Sequence, residues 1–217
     1  MGLTMARAFL SCLALLAALS APAAAHPHVY VTGSSELVFD EGRAIAAVRH
    51  RWTFDEMFST MAIQGLDGDG DGTFSREELA DLAKINVESL SEYAFFTYLE
   101  ANGTMAQFDG PIDYWLDFAD GQLTLNFTLP VKDGFNAPDG NAEFSVYDPS
   151  FFVAFAFDQG KELALVDAPA GCAANVTLPQ DLAKMQSTTL ADAFVLEAGP
   201  DANFGEEFAG KITVSCQ

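Results

Sequence analysis

From Val29 to Phe39 the apolar residues Val29, Val31, Leu37 and Phe39 share one parity, the period-two signature of a strand with one buried face. The turn residues Asp40, Glu41, Gly42 and Arg43 follow, and the run AIAAVRHRWTF then places Val48, His50 and Trp52 on one face of a second strand. Pairing Phe39 with Ala44 across the turn sets Leu37, Val31 and Val29 opposite Ala46, Trp52 and Phe54, and His28 opposite Asp55. In this register the two apolar faces coincide. The period then changes. Thr53 and Glu56 form a capping-box pattern ahead of a helix carrying Phe54, Met57, Phe58 and Met61 on one side. Ser75 and Glu78 repeat the pattern, and Leu79, Leu82, Ala83, Asn86 and Leu90 continue at helical spacing. Strand-like runs return in FFTYLEANG, DYWLDFADG, QLTLNFTLPV, EFSVYDPSFFVAFAF, LALV, AANVTL and KITVSC. They are punctuated by Asn102-Gly103, Asp120-Gly121, Asp139-Gly140 and Asp148-Pro149. A short helix is expected at 180–186. The pattern predicts an α+β, mostly β chain: an antiparallel β-sandwich-like domain with a helix-loop-helix inserted at about residues 54–92.

Between the two predicted helices, residues 67–78 read DGDGDGTFSREE. Calcium is a hard cation that takes six to eight oxygen ligands, and a twelve-residue EF-hand loop supplies them at fixed positions. Asp67, Asp69 and Asp71 stand at positions 1, 3 and 5, and Gly72 at position 6 permits the sharp turn. Thr73 at position 7 offers its carbonyl oxygen, Ser75 at position 9 holds a bridging water, and Glu78 closes the loop with two oxygens. No second loop with this spacing occurs in the chain, so the site is expected to have a structural role, with calcium pinning the helical hairpin.

Residues 1–25 carry Arg7, an apolar run and then APAAA, the order of a cleaved secretory signal, with Ala23 and Ala25 placing the cut before His26. The apolar run is too short to span a membrane, so the processed chain, residues 26–217, is expected to be one exported β-rich domain that is not membrane-spanning. The chain has 31 acidic and 10 basic residues, a formal net charge of −21. That balance excludes nucleic acid as a partner, because the phosphates would be repelled. Cys12 leaves with the signal, and Cys172 and Cys216 are expected to pair in an oxidising compartment.

Histidine supplies a second candidate site. The processed chain would begin His26-Pro27-His28, with His50 as its third histidine. A free α-amine and the imidazoles of His26 and His28 are donors suited to a borderline transition metal, and the predicted register adds Asp55 on the same side. His50 falls on the core face and becomes a ligand only if a bulge turns it outward. The alternative is two solvated histidines at a frayed terminus and one packed in the core.

In their order, HPHVYV, RHRWTFDE, DYWLDF and SVYDPSFFVAF resemble an exported bacterial family, domain-of-unknown-function 1007, over nearly the whole processed chain. The resemblance implies a periplasmic component of an ABC-type transport system, in a setting similar to that of partners of nickel, cobalt or zinc permeases. It adds weight to His26, His28 and Asp55. The expectation is therefore a periplasmic, non-enzymatic accessory protein that holds Ca2+ structurally and binds zinc or nickel/cobalt for a membrane permease. The alternative is a calcium-stabilised envelope structural or interaction protein with no transition-metal role.

Overall fold

The computed structural model describes residues 27–137, 140–177 and 203–216. The proposed signal segment, His26 and the helix expected at 180–186 lie outside the described residues. Strand β1 (Val29–Phe39) and β2 (Ile45–Phe54) are followed by helices α1 (Glu56–Ala62) and α2 (Ala80–Leu90). Then come β3 (Thr97–Ala101), β4 (Thr104–Met105), β5 (Ile112–Ala119), β6 (Gln122–Phe135) and β7 (Asn141–Val146). The described chain ends with β8 (Val153–Phe157), β9 (Leu163–Val166), β10 (Cys172–Thr177) and β11 (Lys211–Cys216). Among the described residues these strands make two sheets. One is ordered β5-β6-β2-β1-β8 with β9 also on β1, the other β10-β11-β7-β3-β4. The mostly β, two-sheet architecture agrees with the alternation in the sequence.

One part of the expectation is corrected: the first sheet is mixed, because β8 and β9 run parallel to β1. The run EFSVYDPSFFVAFAF changes sheets at its Asp148 turn, leaving β7 in the second sheet and β8 on the free edge of the first. A parallel neighbour of this kind needs a crossover, which periodicity alone does not reveal. The β1–β2 register also differs. Leu37 faces Val48, Val31 faces Phe54 and Phe39 faces Ile45, with an irregularity at Val38/Phe39. The predicted register is therefore displaced by two residues through most of the ladder. The turn is wider than predicted: Asp40 Oδ1 accepts from Ala44 N, and Asp40 N donates to Ala44 O. An even displacement leaves every side chain on its predicted face, so the core survives the error.

That core is shared by both sheets. Leu37, Val48, Phe127 and Leu129 of the first sheet, and Leu99, Phe144 and Ile212 of the second, are all buried. His50 lies between the layers, its ring 4.9 Å from Phe127 and 6.3 Å from Phe144. Toward the Trp52 and Phe54 end, the helical pair covers the first sheet's apolar face through Leu79, Ala83, Val87 and Leu90. Met57 and Met61 face solvent, contrary to the predicted helix face. The cap of α1 is Asp55, whose Oδ1 accepts from Phe58 N, whereas Thr53 remains in β2 and bonds Thr124 Oγ1.

Two covalent or conformational features fix the ends of the second sheet. Cys172 and Cys216 form a disulfide between directly paired positions of β10 and β11. Ahead of β3, Ala94, Phe95 and Phe96 have φ of 51°, 56° and 49°. Left-handed backbone costs roughly 1–2 kcal/mol for each non-glycine residue. Burial of the Phe95 and Phe96 rings, worth about 1.5–3 kcal/mol each, offsets it.

Candidate metal site

The acidic loop between α1 and α2 is held by its own amides. Asp67 accepts from Gly70 N and Gly72 N, Asp69 from Asp71 N, and Asp71 from both the amide and the hydroxyl of Thr73. The result is a curl in which one carboxylate oxygen from each of Asp67, Asp69 and Asp71 lies within 4.8 Å of the other two. Gly72 makes the turn at φ 82°, a conformation open to glycine without a Cβ penalty. At the far end Ser75 and Glu78 form the predicted reciprocal box. Ser75 N donates to Glu78 Oε2 at 2.9 Å, and Glu78 N donates to Ser75 Oγ at 3.2 Å. Glu78 Oε1 reaches back to accept from Gly68 N at 2.7 Å, tying position 12 to the loop's start.

Hydrogen bonds from Thr73 hold the Asp71 carboxyl below the usual carboxylate range, and those from Ser75 and Gly68 do the same for Glu78. Both groups are therefore charged under all but acid conditions, the state in which carboxylates bind metal. Hard oxygen donors at this spacing suit calcium and offer nothing to a soft ion.

Residues that the sequence reading missed dock this loop on β5, the edge strand of the first sheet. On the inner face, Phe74 meets Phe118 edge-on at 5.0 Å. On the outer face, Arg76 Nε donates to Asp117 Oδ1 at 2.8 Å and its guanidinium lies 4.8 Å over the Trp115 ring. Asp117 Oδ2 also accepts from Trp115 Nε1 and Asn126 Nδ2. Phe118 and Asp117 are neighbours in a strand and point to opposite faces, so the loop grips the edge from both sides. The available signal was an outward-facing Trp-x-Asp pair on a short amphipathic strand.

The histidines are placed differently. His28 N donates to Phe152 O, and its ring lies 4.7 Å from that of Phe152. Asp55 sits against Tyr30, not His28: its Oδ2 accepts from Tyr30 N at 2.9 Å, while Oδ1 caps α1. His50 is only 3% exposed. Its Nδ1 is 2.9 Å from Ser35 Oγ and its Nε2 is 3.1 Å from Thr97 Oγ1. Thr97 donates its one hydroxyl hydrogen to Phe95 O at 2.7 Å, so its oxygen receives Nε2–H and leaves Nδ1 to accept from Ser35. Burial pushes the His50 imidazole down to about 3, which keeps it neutral. Among the described residues, Asp67, Asp69 and Asp71 are the group of three or more potential metal-binding side chains that converge.

A family model described as "Protein of unknown function (DUF1007)" matches residues 11–216. The chain belongs to the DUF1007 family. The DUF1007 match takes in both sheets, the helical pair and the acidic loop between them. The chain is also similar to the "Uncharacterized 15.5 kDa protein in trpE 3'region" of Spirochaeta aurantia, 29% identical over 99 residues. The shared stretch is 46% of this chain and 70% of that protein.

Proposed function

We propose that this DUF1007 protein is an exported, periplasmic calcium-binding accessory of a membrane metal transporter. The observation that carries the calcium part is the convergence of Asp67, Asp69 and Asp71 in a loop whose Glu78 returns to its start. In this reading residues 67–78 are an EF-hand loop, and the ion's role is structural, holding α1 and α2 on the edge strand. A transition metal, zinc or nickel/cobalt, is taken in this reading at the processed N-terminus by His26 and His28, without Asp55, whose oxygens hold Tyr30 N and Phe58 N. The protein performs no reaction itself and passes its ion to a permease.

A specific observation favours a second reading, a calcium-stabilised envelope interaction protein with no transition-metal role. Both Asp55 oxygens already accept backbone N–H groups, from Tyr30 and Phe58, and His50 is bonded on both nitrogens inside the core. Calorimetric titration of zinc and nickel into calcium-loaded protein beginning at His26, beside a version with extra residues before His26, separates the two. Tight binding that the extension weakens supports transition-metal handling at the processed terminus. Absence of binding in both versions leaves the second reading.

A further inference from the structure

Where α2 meets the first sheet's inner face there is a cavity of about 440 Å³, the size of a site for a small organic molecule. Trp52 and Phe54 of β2, Phe58 of α1 and Phe155 of β8 line it. Tyr93 and Phe152 also line it and are 54% and 45% exposed, so both rings stand where the cavity wall meets solvent. The left-handed backbone of Ala94 to Phe96 brings Tyr93 and Phe96 into a stack, with ring centroids 5.4 Å apart, against the same cavity. Strained backbone persists where the surroundings over-determine it, and such segments cluster at binding sites.

The charge of the wall selects among occupants. No Lys, Arg or His lines the cavity, but Asp148 does. Asp148 is buried, 4% exposed, and its carboxylate accepts from Ser150 N, Ser150 Oγ and Val153 N, at 2.8, 2.8 and 3.0 Å. None of the ion pairs among the described residues includes it. The net charge of the chain, −21, has the same sign. An anion would meet repulsion with no basic group to answer it. A neutral hydrophobe would gain burial alone. An alkylated cation gains burial, attraction to the negative faces of the aromatic rings and attraction to the carboxylate.

We propose that the cavity binds a substituted ammonium, an organic cation whose alkyl groups rest on the aromatic walls and whose charge is answered by Asp148. The assignment does not depend on any metal being bound elsewhere. The test compares choline with 3,3-dimethylbutan-1-ol, in which carbon replaces the ammonium nitrogen at equal shape, by calorimetric titration into the purified protein. Choline is expected to bind about tenfold or more tightly than the alcohol. Tyr93→Ala and Phe152→Ala, both at exposed positions of the wall, are each expected to weaken choline severalfold with only a small fall in melting temperature from the lost ring contacts. Asp148→Asn, provided that it melts as the parent does, is expected to remove most of the preference for the cation. Equal affinity for the two probes would reduce the site to a plain apolar cavity and overturn the proposal. Absence of choline binding at millimolar concentration, or binding untouched by both wall variants, would overturn it as well.

Discussion

The His50 imidazole spans the two sheets as a polar bolt, receiving from Ser35 on β1 and donating to Thr97 on β3. A buried polar group is tolerable when every donor and acceptor is matched, and here both nitrogens are. Protonation puts a charge in the apolar core and forces Ser35 to turn from donor to acceptor. Since burial lowers its folded pKa to about 3 from 6.5, the unfolded chain binds the proton first. The contribution to stability is complete above about 6.5 and declines by about 1.4 kcal/mol per pH unit down to about 3. Urea unfolding between pH 7 and 4 should therefore show a shallower acid loss in His50→Gln than in the parent, by about one proton's slope. Equal slopes would mean that His50 titrates alike in both states. That His50 belongs to the core was legible from its parity with Val48 and Trp52. Its partners were not, because Thr97 arrives from the other sheet and nothing local in the sequence pairs it with residue 50. Asp55 illustrates the opposite confusion: the TFDE segment reads as a capping box on Thr53, but β2 continues through Phe54, and the cap passes to the next polar residue.

Among the elements, the helical pair is the one whose stability is tied to the loop. Its helices are 7 and 11 residues long, too short to persist alone in water. They are held by Leu79, Ala83 and Val87 on the core and by the two-sided grip on β5. If the grip positions the loop for its ion, Asp117→Asn should lower calcium affinity about two- to fivefold, the scale of an exposed ion pair of about 0.5–1 kcal/mol. Calorimetry reads this directly, and an unchanged affinity would show that the dock is incidental to metal binding. The acidic loop was the most legible part of the chain, because its spacing, its glycine and its box are all local. The Trp-x-Asp half of its dock was visible in the sequence but its pairing with Arg76 was not, since Asp117 lies 41 positions beyond Arg76 and the two meet only once β5 has become an edge strand. Sheet order and the parallel placement of β8 and β9 were hidden for the same reason: alternation specifies which side of a strand is buried, not which strand lies beside it.

At the scale of the whole molecule, the strong acidic excess opposes compaction through self-repulsion, and cross-links act against it. The Cys172–Cys216 disulfide spans 44 positions of sequence and joins neighbouring strands at the sheet's edge. In the chain-entropy account such a closure is worth about 4 kcal/mol. Cys172→Ser with Cys216→Ser should lower the unfolding free energy by about that amount in urea, whereas a loss under about 1 kcal/mol would place the stabilisation elsewhere. The proposed ion acts in the same sense, stabilising the folded chain by mass action and drawing carboxylates together against their mutual repulsion. Calcium should therefore be titrated calorimetrically into chelator-stripped protein, beside Glu78→Gln. The expected result is one ion per chain with a dissociation constant of about 10⁻³ M or tighter, weakened about tenfold or more in the variant. No binding at millimolar calcium, or equal binding by parent and variant, would contradict a calcium-pinned hairpin.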